Sequence, residues 1–387
     1  MEDLYKRSAS LERKLQRIGS DPKLTPRNRK VILEFHHSLV AEGIGIARQL
    51  RYLDSLHNFG IWLGKDFDKT TVKDILRVQA ENIEGSGYEE WTKSTYRKII
   101  RRFFTTLDPE KYRDITAKIN GGAPKKHQEK KWVLITEEDA KKMIESADKV
   151  RDAALLAVMW ESGARIAEIL TLQIQDIVPL EEGAVRVSFR GKTGVRLNKL
   201  WLASPYLRDW LRQHPFKGRS DAIVWISEQQ QNRREPLSYN GAVKIIRKVA
   251  ELAKIEGKDI NPHGWRHARA TYLASNGWSE QQLCKFLGWE FGSDMPRIYI
   301  DRAGVNVDNA VDSLYGVLHK EDELPKNVPL QCIRCKEPNT PGSQFCVKCG
   351  MPMTQEAAML EKESKETAQE ILMRRLEKLE AMVKAKR

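Results

Sequence analysis

The sequence predicts a mainly α-helical protein with one small antiparallel β-hairpin sheet. It divides into a helical N-terminal domain, an α+β domain and a small cysteine-rich knuckle. Three observations predict this. Apolar residues recur every three or four positions through most of the first 120 residues, and again after 238. Two β-type runs, 185–189 and 197–202, flank the turn Arg190-Gly191-Lys192-Thr193-Gly194. Two Cys-x-x-Cys pairs, Cys332/Cys335 and Cys346/Cys349, stand ten residues apart near the C-terminus. The 387 residues are enough for two or three domains at roughly 100–200 residues each.

Taken in order, residues 1–120 read as helices. Val31, Ile32, Phe35 and Leu39 share one face, then Ile46, Leu50 and Leu53, then Tyr96, Ile99, Ile100, Phe103 and Leu107. Gly43, Gly64, Gly85 and Gly87 punctuate them. The last helix carries Lys93, Arg97, Lys98, Arg101 and Arg102 on its other faces. Such a face fits both a grip on phosphates and simple solvation. Residues 121–131 hold two Gly, a Pro and four Lys without apolar period, and read as a basic linker. Thr136 followed by Glu137, Glu138 and Asp139 starts a helix with a cap and first-turn acids. Residues 151–172 are helical with a break at Ser162-Gly163-Ala164-Arg165, and 223–227 reads as a further strand. Helices follow at about 238–253, 263–276, 279–288 and 294–315. In the final stretch, 355–387, Leu372, Leu376, Leu379 and Val383 form a short heptad seam, which suits a partner helix or a solvated tail equally.

Charge narrows the partners. Net charge is +13, and residues 1–131 hold 27 basic against 18 acidic residues, a net +9. A basic N-terminal third suits a polyanion, most simply nucleic acid, and equally a merely soluble basic surface. No run of eighteen apolar residues suggests a membrane span, and the N-terminus lacks the apolar core of a signal peptide. Four of five cysteines in Cys-x-x-Cys pairs argue for metal in a reducing compartment over disulfides. The expected location is cytoplasmic, on the nucleoid. Four thiolates in two knuckles suit a structural, tetrahedral zinc that replaces a core in a segment too small to have one. The knuckle could then bind DNA, bind a partner, or only fold the tail.

Several stretches carry chemistry. Asn261-Pro262-His263-Gly264-Trp265-Arg266 opens a helix, with Pro at a position where a missing N–H costs nothing. His263 and Arg266 then face one way beside the positive end of the helix dipole, a place for a phosphate. The bland alternative is a capping His263 and a surface ion pair for Arg266. Glu161-Ser162-Gly163-Ala164-Arg165-Ile166-Ala167-Glu168 sets Arg165 at the start of another helix. Lys192 sits in the hairpin turn, with Arg190 and Lys199 as competitors. Leu287-Gly288-Trp289 ends a helix, and Tyr299 lies ten residues beyond Trp289. Glu168 should buttress Arg165 and Asp176 should tie the following loop. His267 reads as a buried structural histidine and Cys284 as core.

In this order, Arg165, Lys192, His263, Arg266, Trp289 and Tyr299 resemble the tyrosine recombinases, the phage integrase family. The resemblance covers about 132–318. The segment 287–299 and the trailing four-cysteine knuckle look most like archaeal members. One departure is Asp301, which stands where many relatives carry His. The resemblance implies a helical DNA-clamping domain over 1–120, a catalytic domain over 132–318, a zinc knuckle over 332–350 and a helical tail. It implies a site-specific DNA recombinase, most simply an integrase of a virus or mobile element, working as a homotetramer on paired DNA sites. Alternatives are a chromosome-dimer resolvase, a type IB-like topoisomerase, and a non-cleaving regulator on this fold. Tyr299 would attack a DNA phosphodiester and leave a 3′-phosphotyrosyl bond. Arg165 and Arg266 would hold the non-bridging oxygens, and Lys192 would protonate the 5′-oxygen. His263 would act as acid/base and Trp289 would position its neighbours. No catalytic metal or nucleotide is expected.

Overall fold

A computed structural model describes residues 7–120, 122, 133–191, 194–228, 234–303, 329–354 and 356–361. The chain forms two compact units, Met1–Lys131 and Trp132–Arg387.

The first unit is helical: α1 (Arg7–Ser20), α2 (Pro26–Ala41), α3 (Ile46–Leu63), α4 (Val72–Val78), a π-helical turn (Gln79–Glu84), α5 (Glu90–Leu107) and α6 (Arg113–Ala117). Local chemistry sets the starts. Thr25 accepts from the Asn28 N–H ahead of Pro26, and Thr71 and Asp74 form a reciprocal capping box. The expected apolar stripes face inward. Phe59 stacks on Phe67 at 5.7 Å, and Phe103 meets Phe35 and Phe67 edge-on. Ile46 and Leu107 lie at helix ends and are exposed instead. The basic face of α5 is partly neutralised. Lys93 pairs with Glu90 at 2.7 Å, Arg97 with Glu84, and Arg102 with Glu42. Lys98 and Arg101 are exposed, with no carboxylate partner among the described residues.

The second unit begins with α7 (Glu137–Glu145), α8 (Val150–Ser162) and α9 (Ile166–Leu170). Thr136 and Asp139 form the capping box of α7. Helix α8 is buried along nearly its whole length and packs against α7 and the later α10 and α12. Strands β1 (Ile177–Pro179), β2 (Val185–Gly191) and β3 (Gly194–Leu200) form an antiparallel sheet in that order. Then come α10 (Ala203–Gln213), α11 (Tyr239–Leu252), α12 (Pro262–Ser275), α13 (Glu280–Leu287) and α14 (Met295–Ala303). Strands β4 (Leu330–Gln331) and β5 (Pro338–Asn339) pair within the knuckle.

Two expectations need correction. The hairpin strands run further than the residue pattern suggested. Arg190 pairs with Val195 and Gly191 with Gly194, so the strands take in residues expected in the turn. Residues 223–227 form no strand. Ile223 and Ile226 make single bridges to Gln173 and Pro236, and Trp210 Nε1 donates to the Val224 carbonyl. An apolar run buried as irregular chain looks the same in sequence as a buried strand. The linker, apart from Gly122, and the expected helix beyond 303 lie outside the described residues, as does the heptad seam.

Within the second unit, Arg212 of α10 forms an ion pair with Glu337 of the knuckle, and Lys348 lies 3.6 Å from the same carboxylate. Buried Asn339 joins its two halves, donating to the Glu337 carbonyl at 2.8 Å and accepting from the Val347 N–H at 2.8 Å.

Candidate active site

Helix α12 begins where the sequence places it. Asn261, not His263, is the cap, and its side chain accepts from the His263 and Gly264 N–H groups at 2.9 Å each. His263 is therefore left on the surface of the first turn. Partial desolvation, then the Arg266 and Arg165 guanidiniums, pull its pKa below the usual histidine value, with Asp259 opposing.

Arg266 is not a surface ion-pair partner. It is 4% exposed and donates to the Gly163 carbonyl beyond α8 and to the Leu287 carbonyl ending α13, each at 2.8 Å. Burial, then the nearby Arg165 charge, pull its pKa down to about 9. Its guanidinium lies 5.2 Å from the centre of the Trp289 ring.

Arg165 precedes α9 and is half open to solvent. Its backbone N–H and its guanidinium both reach Glu168, at 2.9 and 3.1 Å, and the guanidinium also approaches the Gly288 carbonyl at 3.4 Å. Glu168 is buried. Burial pushes its carboxyl up, but the ion pair with Arg196, then the Arg165 contacts, outweigh that and hold it below the usual range. Asp176 ties its loop as expected, through the Gln173 N–H at 2.9 Å and Arg190 at 2.7 Å.

Trp289 follows the left-handed cap Gly288 and stacks on Tyr299, with ring centres 5.3 Å apart and planes within 10°. Tyr299 is 1% exposed, and its hydroxyl contacts His267 Nδ1. His267 packs edge-on against His263, ring centres 4.1 Å apart. Arg266, Trp289, Tyr299, His267 and His263 thus form a continuous run of ring and guanidinium contacts, and the Arg165 charge acts on both Arg266 and His263. Lys192 lies outside the described residues. Its two competitors are engaged elsewhere: Arg190 with Asp176, and Lys199 with Glu182 at 2.6 Å. Cys284 is core, as expected.

Two residues escaped sequence reasoning. His267 is buried as expected, yet it touches the Tyr299 hydroxyl; the signal was its place one turn after His263, on the same helix face. Arg196 sits in the inward register of β3, with Asn198 and Leu200, and pairs with Glu168 at 2.6 Å. Strand alternation carried that signal.

The four cysteines Cys332, Cys335, Cys346 and Cys349 bring their sulfurs within 4.8 Å of one another. Cys332 and Cys349 are 3.7 Å apart, and Cys335 and Cys346 3.5 Å. Four convergent thiols from two chain turns can hold one metal ion.

Comparison with known proteins agrees with this arrangement. Residues 134–304 match the Phage integrase family. The tyrosine recombinase XerD of Yersinia pestis is 30% identical over 247 residues, covering 61% of this chain and 81% of XerD. The tyrosine recombinase XerA of Pyrococcus horikoshii is 25% identical over 267 residues, covering 67% of this chain and 85% of XerA. The fold is shared with the XerH recombinase in its post-cleavage complex with a palindromic difH substrate (TM-score 0.57, 18% identity, 81% of this chain and 97% of that one). It is also shared with a lambda integrase tetramer bound to a Holliday junction (TM-score 0.51, 16% identity, 68% of this chain and 78% of that one). The chain belongs to the phage integrase family, and is a site-specific tyrosine recombinase, an enzyme that cleaves and rejoins DNA.

Proposed function

We propose that this recombinase cleaves double-stranded DNA through a 3′-phosphotyrosyl intermediate formed on Tyr299, as an integrase of a virus or mobile element. The observation that carries the reading is the convergence of Arg165, His263 and Arg266 beside the Trp289–Tyr299 stack. The two guanidiniums bind the non-bridging oxygens, where negative charge grows as Tyr299 attacks. The bond from Tyr299 oxygen to phosphorus forms as the bond to the 5′-oxygen breaks. Lys192 gives that oxygen its proton, and His263, as acid/base beside the phosphate and nucleophile, accepts the proton that Tyr299 loses. In the free protein the Tyr299 hydroxyl is turned inward onto His267, so it must swing toward the phosphate before attack. Trp289 can only donate one hydrogen bond from its indole, so its role is positioning.

The N-terminal unit is the DNA clamp in this reading, and residues 121–131 the linker between the two. Four protomers act on paired sites, a reading supported by the lambda integrase neighbour seen as a tetramer on a Holliday junction. The four-cysteine cluster holds one structural zinc, since four thiolates at this spacing match its preferred donors. Among the described residues no helix is long and apolar enough to cross a membrane. Because its substrate in this reading is DNA, its working place is the nucleoid of the cytoplasm.

A nicked suicide substrate carrying the cognate site tests the chemistry. The protein should form a covalent adduct that survives a denaturing gel, and Tyr299→Phe should not. An adduct in the variant overturns the assignment. Recombination between two copies of one host chromosomal site, with none between element and host sites, would favour dimer resolution over integration.

A further inference from the structure

Arg196 lies on β3, four residues after Lys192, and its side chain is 9% exposed. Its guanidinium is held from three directions. Nη2 donates to Glu168 of α9 at 2.6 Å, and Nε donates to the Phe286 carbonyl in α13 at 3.0 Å. The face of the group lies 5.0 Å from the centre of Phe189 across the hairpin. Asn198 repeats the tie one pleat on, donating to the same Phe286 carbonyl at 3.1 Å.

The surroundings leave this group no slack. A Cβ on Gly288 would come within 2.9 Å of Arg196 Nη1, and a Cβ on Gly191 within 2.5 Å of Glu168 Oε1. Glycine at both positions lets the hairpin and the end of α13 close onto one ion pair. Glu168 meanwhile holds Arg165 with its other oxygen. A single buried guanidinium therefore joins the hairpin that carries Lys192, the helix start that carries Arg165 and the helix end that leads to Trp289.

A buried ion pair adds little net stability, because desolvation offsets the attraction. What it supplies here is fixed geometry. A general acid works only within hydrogen-bond reach of its target, and a long lysine between two strands reaches no fixed point unless those strands are pinned.

We propose that Arg196 is a positioning residue for strand cleavage, acting by fixing the base of the hairpin so that Lys192 meets the leaving 5′-oxygen. This rests on the reading of Lys192 as the group that protonates that oxygen. Arg196 itself does not touch the DNA phosphate.

The test uses the full chain and two suicide substrates. One has the ordinary scissile phosphodiester; the other has sulfur in place of the bridging 5′-oxygen. When the phosphorus–sulfur bond breaks, sulfur leaves as a thiolate and needs no proton. Misplacing a catalytic group by about 1 Å costs on the order of 100-fold. Arg196→Met should therefore slow single-turnover cleavage of the oxygen substrate by roughly that factor. On the sulfur substrate it should recover to within a few-fold of the parent, with DNA affinity unchanged. Arg196→Lys keeps the charge on Glu168 and should show a smaller loss with the same recovery, which keeps the test open if the Met variant folds poorly. Equal slowing on both substrates, or full rate on both, overturns the proposal. Lys192→Ala reads the underlying assignment separately. If it fails to recover on sulfur, Lys192 is not the acid, whatever the Arg196 variants do.

Discussion

Replacing Tyr299 by Phe should cost stability as well as activity, and the first effect depends on the burial seen here. The substitution keeps the ring that stacks on Trp289 and deletes only the hydroxyl at His267 Nδ1. Tyr299 is 1% exposed, so water cannot readily take the hydroxyl's place. Removing one partner of a buried polar contact costs about 1–3 kcal/mol. For a unit of this size each kcal/mol moves the melting temperature by about 2–4 °C, so the drop should be roughly 2–12 °C. A nucleophile open to solvent would cost nothing measurable on losing its hydroxyl. Adding His267→Leu to the Phe variant replaces the polar pair by an apolar one, and should recover much of the loss. Scanning calorimetry of the transition of the second unit measures this, and adduct formation on a suicide substrate is read in parallel. If Tyr299→Phe melts with the parent, the inward Tyr299–His267 contact is not the resting arrangement in solution. Covalent adduct in the variant would remove Tyr299 as the nucleophile altogether.

The purified protein should hold about one zinc per chain, measured by elemental analysis with reductant present. A chelator should unfold residues 332–350 while a chain of residues 1–325 still cleaves measurably. Affinity for DNA should fall with salt at a log–log slope of about −0.9 per phosphate contact. Removing residues 1–120 should flatten the slope by several units in filter binding; an unchanged slope would rule out the first unit as the clamp. Arg165→Ala should change the slope by about one unit, yet slow single-turnover cleavage at least ~100-fold.

What was legible in the sequence was local. Asn261-Pro262 fixes the start of α12 by capping chemistry confined to a few residues, so that start could be read directly. The same holds for the Thr136 capping box and the Gly288 helix end. The hidden parts depend on partners far along the chain. Arg190 looked like a turn residue because its partner Asp176 lies fourteen residues earlier. His267 looked structural because Tyr299 is 32 residues away. Arg196 gave no motif signal, since its role comes from Glu168 and Phe286, which only the fold brings to β3.

The way Arg266 is held explains why a guanidinium is needed there. It is buried, yet the groups that bind it, the Gly163 and Leu287 carbonyls, are neutral. Both lie at helix C-terminal ends, where the backbone carries partial negative charge. They orient the cation without cancelling it. Glu168, whose negative charge acts on Arg266, bonds Arg165 and Arg196 instead. Burial, then the neighbouring Arg165 charge, lower the Arg266 pKa to about 9, as expected of a desolvated charge with no carboxylate bonded to it. A DNA phosphate would supply it, and the negative charge that builds up during attack would supply more. Arg266→Lys keeps the charge but not the planar fork, so an ammonium that bonds both carbonyls has little left to aim at a phosphate. Single-turnover cleavage by Arg266→Lys should fall on the order of 100-fold or more, close to the loss in Arg266→Ala. Near-parent rates for the lysine variant would mean that charge alone suffices, and that the two carbonyls do not aim the group.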